Sequence, residues 1–362
     1  MKNIVILATG GTIAGAGEQG KDIGYKSGSI KAQTLIEAIP ELKNVANICV
    51  EQFCNINSDD VTSEIWIALA KRIQELLQRE DVDGIVMMHG TDTMEETAFF
   101  LSLVLGGSAP SAAGNIAKPV IMTGSMRPAT AAEPDGPANL FFAVKSAVDL
   151  CGRSAQESLD STCHAREGGH HLLVNAEYTV GVYVAFAGKL MNARSVQKIH
   201  ANDLDAFAEL SCPPHELSCP PEPVLSEVEG SGLLPLVKAF DLSNLRELPR
   251  VSVLYFNADA DAELVRFAAE RSAGLVIAGA GAGEFSQAWA DAIADVISKN
   301  KIPVVISTRI NRGRIVPEQL LVSGTIAAYD LLPAKAAVLL RLALTVTTDS
   351  AKIQEMFEIS FT

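Results

Sequence analysis

Two threonine-centred loops, each at the end of a short and uniformly apolar run, constrain this chain most. Asn3-Ile4-Val5-Ile6-Leu7 leads into Ala8-Thr9-Gly10-Gly11-Thr12-Ile13-Ala14, and Gly84-Ile85-Val86-Met87-Met88 leads into His89-Gly90-Thr91-Asp92-Thr93-Met94. Apolar runs of this length without alternation read as strands buried on both faces, which is the signature of a parallel sheet covered by helices. A strand that stops at glycine and hands over to hydroxyls and a carboxylate is where open α/β sheets build their sites. The two loops can converge only if their strands share a sheet.

The rest of the chain extends the pattern. Ser63 is in position to cap a helix running through Ile65, Leu69, Ile73, Leu76 and Leu77. The spacing then predicts strand 84–88, helix 93–105, strand 119–123, a helix over about 138–148 and strand 182–187. A more compact repeat follows, with strands at 251–256, 275–278 and 304–307 and helices at 261–270, 286–298 and 334–345. At 362 residues, of which 48% are apolar, two cores are expected. The expected fold is α/β with two domains. A larger N-terminal domain over 1–210, mainly parallel sheet with flanking helices, carries an insertion at about 151–180. A linker over 211–240 holds a second insertion, and a smaller α/β domain spans 241–362. The insertions stand out because 151–180 has neither helical nor strand period, and Glu-Leu-Ser-Cys-Pro-Pro occurs twice, at 209–214 and 216–221. Both are expected to be loosely packed.

The formal net charge of −14 argues against nucleic acid as a partner. No apolar run reaches membrane-spanning length. Met1-Lys2 leads straight into a strand, and the six cysteines form no CxxC pair, so a cytoplasmic, reduced protein is expected; a mature exported form fits the same residues. Cys163, His164, Glu167, His170 and His171 match no standard zinc spacing. No cofactor and no metal are expected. Gly10-Gly11-Thr12-Ile13-Ala14-Gly15 lacks the third-glycine spacing of a dinucleotide fold, and Ser125 after Gly124 lacks the nucleophile-elbow pattern.

The chemistry open to the loops is acyl transfer. Gly10 and Gly11 leave backbone N–H groups free to meet a substrate oxygen. The Thr12 hydroxyl needs a base before it is a nucleophile; a Gly-Gly-Thr turn on its own is more often a structural turn cap than a catalytic one. Tyr25 is a local relay candidate. Asp92 can bind an ammonium group or tune a base. His89, ahead of the second loop, reads as a hydrogen-bonded core histidine rather than that base. A lysine can serve instead, and Lys198 in Ala193-Arg194-Ser195-Val196-Gln197-Lys198 is one candidate among many by spacing alone.

These segments, with Thr123-Gly124-Ser125-Met126-Arg127-Pro128, Asp135-Gly136-Pro137-Ala138-Asn139-Leu140 and Ser323-Gly324-Thr325, occur in the order found in the bacterial-type L-asparaginase/glutaminase family, which the chain resembles over nearly its whole length outside the insertions. The resemblance implies hydrolysis of L-asparagine, with some activity on L-glutamine, without a cofactor. It implies Thr12 as nucleophile with Tyr25 as its flap partner. Thr91, Asp92 and Lys198 become a second triad in which Lys198 polarises the Thr91 hydroxyl. Gly11, Ser58, Asp59, Thr91 and Asp92 become the substrate-binding set, Ser58 and Asp92 holding the α-carboxylate and α-ammonium. It further implies a homo-oligomer, dimer or tetramer, with sites completed between subunits. Asp59 stands where the family often has glutamine or glutamate. Ala282 replaces an asparagine that reaches a neighbouring site, and Glu318 is the candidate for the acidic residue from the second domain. An amidase subunit of a tRNA-dependent amidotransferase and an inactive ligand-binding relative are the rival readings.

Overall fold

The computed structural model describes residues 1–21, 24, 26–105, 118–151, 181–210 and 240–361. Tyr25, nearly all of the 151–180 insertion and most of the 211–240 linker lie outside the described residues. In chain order the first unit contains β1 (Lys2–Gly10), α1 (Ala32–Glu37), β2 (Ala46–Ile56), α2 (Ser63–Gln78), β3 (Gly84–Met88), α3 (Met94–Leu105), β4 (Val120–Thr123), α4 (Gly136–Leu150), β5 (Val182–Phe186), β6 (Lys189–Asn192), β7 (Val196–Lys198) and β8 (Phe207–Glu209). The second contains β9 (Val251–Tyr255), α5 (Glu263–Ala269), β10 (Gly274–Gly279), α6 (Gln287–Asp295), β11 (Val304–Thr308), β12 (Ile326–Ala327), α7 (Pro333–Ala343) and α8 (Ser350–Phe361).

The chain divides into two compact units, Met1–Glu209 with Asp241–Asn244, and a second carried chiefly by Leu245–Thr362. The first is built on a six-stranded sheet in the order β2-β1-β3-β4-β5-β6. All neighbours pair in parallel except β5 and β6, which close an antiparallel edge. The central strands are as apolar as the sequence suggests: Ile4, Ile6, Leu7, Val86, Met88 and Ile121 are at most 1% exposed. One face packs on α4 through Leu140, Ala143, Val144 and Ala147. The second unit holds a parallel sheet in the order β12-β11-β10-β9, with Trp289, Ile293 and Val296 in its own core.

The sequence reading misses the short elements α1, β6, β7, β8 and β12 and needs correction at longer ones too. β2 is an eleven-residue strand that the apolar pattern did not reveal. It lies at the sheet edge, so its outer positions are exposed and its run is broken by Asn47, Glu51 and Gln52. The cap of α2 is Thr62, whose hydroxyl accepts from Ile65 N at 3.4 Å, not Ser63. α8 at the C-terminus was also not anticipated.

Candidate active site

Because β2, β1, β3 and β4 run parallel, their C-terminal ends lie along one edge of the sheet. Ser58 follows β2, Thr12 follows β1, Thr91 and Asp92 follow β3, and Gly124 follows β4. β1 ends at Gly10 and is followed by Gly11, at φ +108° and +79°, a region that L side chains rarely enter. Gly11 N donates to Ile56 O at 3.0 Å, and Gly15 N donates to Thr12 O at 2.8 Å, so Thr12 opens a single tight turn, Thr12–Ala14. A Cβ on Gly11 would lie 2.5 Å from Gly90 N, and one on Gly90 would lie 2.7 Å from Ser58 Oγ. The glycines therefore let the first two loops meet backbone to backbone and let the Ser58 side chain pack against the second. Ala16 and Lys26 exchange paired backbone hydrogen bonds, and Gly20 N donates to Thr130 O at 2.8 Å.

The second loop carries the polar groups. Thr91 is buried and Asp92 is exposed. Lys198 Nζ donates to Thr91 Oγ1 at 3.0 Å and to Asp92 Oδ1 at 2.6 Å. Ser58 Oγ accepts from Asp92 N at 3.2 Å, and Thr93 Oγ1 donates to Ser58 O at 2.7 Å. Asp59 points its exposed position outward from the same short turn, Ser58–Asp60.

Lys198 does not come from the large sheet. It ends β7, which pairs antiparallel with β8, and its register partner is Phe207. Phe207 packs on Phe186 of β5, ring centroids 4.9 Å apart, so a buried aromatic pair docks the hairpin on the sheet. The Lys198 backbone N donates to Glu95 Oε2 at 2.5 Å, which fixes the same residue from α3. Because the Asp92 carboxylate is 67% exposed, its ion pair with Lys198 is screened and contributes only about 0–1 kcal/mol by itself. The lysine is held by the hairpin, Glu95 and Thr91 together.

Sequence reasoning missed Glu95, and it missed the brace beneath the β4 loop. The Asp135 carboxylate accepts from Met126 N and Arg127 N, both at 2.9 Å, and from Asn139 Nδ2 at 3.1 Å. Asn139 Nδ2 also donates to Gly124 O at 3.0 Å, while its Oδ1 accepts from Ala187 N at 3.0 Å. The i, i+4 spacing of Asp135 and Asn139 at a Gly-Pro helix start was the available signal. His89 sits in the core, 1% exposed, and burial holds its pKa down at about 4. Among the described residues no group of His, Cys, Asp or Glu is placed to hold a metal ion, and no helix is long and apolar enough to cross a membrane.

Comparison with known proteins shows the family. Residues 3–159 match the family model described as Asparaginase, N-terminal, and residues 250–357 match the Glutaminase/Asparaginase C-terminal domain. The chain is 38% identical to L-asparaginase 2 of Bacillus subtilis (strain 168), over 99% of this chain and 86% of that protein. It is 35% identical to the probable periplasmic L-asparaginase of Haemophilus influenzae, over 99% and 93%. The crystal structure of a probable cytoplasmic L-asparaginase from Campylobacter jejuni superposes with a TM-score of 0.77 at 35% identity, covering 99% of each chain. These matches define a hydrolase acting on amides. The chain belongs to the bacterial-type L-asparaginase/glutaminase family.

Proposed function

We propose that this protein hydrolyses the side-chain amide of L-asparagine to L-aspartate and ammonia, with L-glutamine as a second substrate. The observation that carries the reading is the contact of Lys198 Nζ with both Thr91 Oγ1 and Asp92 Oδ1 at the end of β3. In this reading Thr12 Oγ attacks the amide carbon. Its proton passes through the Thr91–Lys198 pair to the departing nitrogen, which leaves as ammonia when the C–N bond breaks. Water then attacks the Thr12 ester, releases the acid and restores the hydroxyl. Backbone N–H groups of the two glycine loops, Gly11 among them, stabilise the oxyanion. Ser58 and Asp92 hold the α-carboxylate and α-ammonium, Asp59 lines the same end, and Tyr25 serves as the partner of Thr12 that the family resemblance implies.

The glutaminase half of the reading draws on the description of the C-terminal family match. A homotetramer, with Glu318 of one subunit serving another subunit's site, is proposed on the family resemblance, as is residence in the cytoplasm. The domain limits proposed are 1–210, 211–240 and 241–362. The test is ammonia release from both amides, with light scattering on the active species. No release from either amide would leave the inactive-relative reading, and release only with a partner subunit would leave the amidotransferase reading.

A further inference from the structure

His89 precedes the glycine that touches the Thr12 turn and takes no part in the proton transfers just described. Its contacts form one directed chain. Trp66 Nε1, on α2, donates to Thr97 Oγ1, on α3, at 2.9 Å. Thr97 Oγ1 lies 3.2 Å from His89 Nε2, and His89 Nδ1 lies 2.7 Å from Gly90 O. A carbonyl can only accept, so the hydrogen must sit on Nδ1. In the neutral ring Nε2 is then an acceptor and the Thr97 hydroxyl donates to it. All three side chains are buried, and Trp66 is fixed by stacking on Phe100 with centroids 5.2 Å apart.

The peptide joining Gly90 to Thr91 is planar and trans, so its C=O and N–H point in opposite directions. With the carbonyl drawn inward to the imidazole, the Thr91 N–H is turned away from the core. Glycine has no Cβ to restrict that plane; packing against Gly11 and Ser58 confines it, and the imidazole adds the hydrogen bond on its carbonyl. We propose that His89 is a positioning residue: its neutral, Nδ1-protonated ring locks the Gly90–Thr91 peptide so that the Thr91 N–H is presented as a fixed donor to the oxygen of the substrate amide. The inference rests on the reading of Thr12 and Thr91 as active-site residues. A donor aimed at the charge that develops on that oxygen acts in the transition state more than in the bound substrate. Loss of the lock therefore falls on kcat.

Steady-state kinetics on asparagine with His89→Leu and His89→Asn, beside Thr12→Val, test this. His89→Leu should lower kcat about 10- to 100-fold with KM within roughly threefold of wild type. His89→Asn places an amide N–H near the Nδ1 position and should recover kcat to within about fivefold of wild type. Equal losses in both variants at equal melting temperature, or a loss carried by KM, would overturn the proposal. If His89→Leu does not fold, the ring of the unmodified protein decides. Its ¹⁵N resonances, assigned by their disappearance in His89→Asn, should show Nδ1–H and no titration between roughly pH 5 and 8; an Nε2–H ring would overturn the lock. That measurement needs no turnover. A wild-type protein that releases no ammonia thus defeats the functional reading, while the tautomer separately decides the lock.

Discussion

Gly11 and Gly90 touch through their backbones: a Cβ on Gly11 would stand 2.5 Å from Gly90 N and 2.6 Å from Gly90 Cα. This contact, more than any side-chain bond, brings the Thr12 and Thr91 loops together. Gly11→Ala would meet a left-handed φ of +79° and that clash at once. The expected cost is at least about 2 kcal/mol, combining backbone strain and overpacking. By calorimetry the melting temperature should fall by roughly 4–8 °C, with ammonia release lost. An alanine variant with wild-type melting and turnover would show that the loops do not depend on this approach.

The hydroxyls carry the proposed chemistry. Thr12→Val, Thr91→Val and Lys198→Met should each lower kcat by at least ~10²-fold without unfolding the protein. If both threonine variants turn over asparagine and glutamine normally, the assignment of these loops fails. Ser58→Ala should instead raise KM and leave kcat within a few-fold, because its proposed contact is to the substrate's α-carboxylate in both ground and transition states.

Asp135 is expected to matter for stability rather than for chemistry. Its carboxylate satisfies two backbone N–H groups and the Asn139 amide. Asp135→Ala strands these donors and should cost about 3 kcal/mol, read as a lower midpoint in urea. Asp135→Asn keeps one acceptor oxygen and should cost less. If the alanine variant matches wild type in urea, the brace contributes nothing.

His89 should leave a mark on acid unfolding. Burial lowers its pKa to about 4, below its unfolded value near 6.5. Below 6.5 the unfolded chain binds the extra proton and the folded chain does not, so stability falls as pH drops from about 6.5 towards 4. Above 6.5 the contribution is complete. The span corresponds to about 3 kcal/mol. His89→Asn should flatten the urea midpoint across this window; an unchanged pH slope would contradict the burial argument.

How much of this was legible in the sequence depends on burial and on length. β1, β3 and β10 could be read because both faces are covered and their central positions are apolar. β2 could not, because an edge strand with one wet face carries Asn47, Glu51 and Gln52 in a run that resembles a loop. Thr62 and Ser63 are adjacent hydroxyls, and only the backbone geometry selects the capping residue. The core role of His89 followed from its place at a strand end. Its partner Thr97 lies on α3 and in turn accepts from Trp66 on α2, and no local pattern joins the three. The three-residue strands around Lys198 are too short to announce themselves.

That hairpin also bears on the order of folding. Lys198 is 107 residues along the chain from Thr91, yet the two side chains are 3.0 Å apart. Closing a loop of that length costs about 4 kcal/mol in chain entropy before any constant term, while the contact between Thr91 and its neighbours across β1 is repaid as soon as the sheet forms. The lysine therefore arrives last. A refolding protein should regain its strand content first and its ability to move a proton later, so the return of activity times the docking of Phe207 on Phe186.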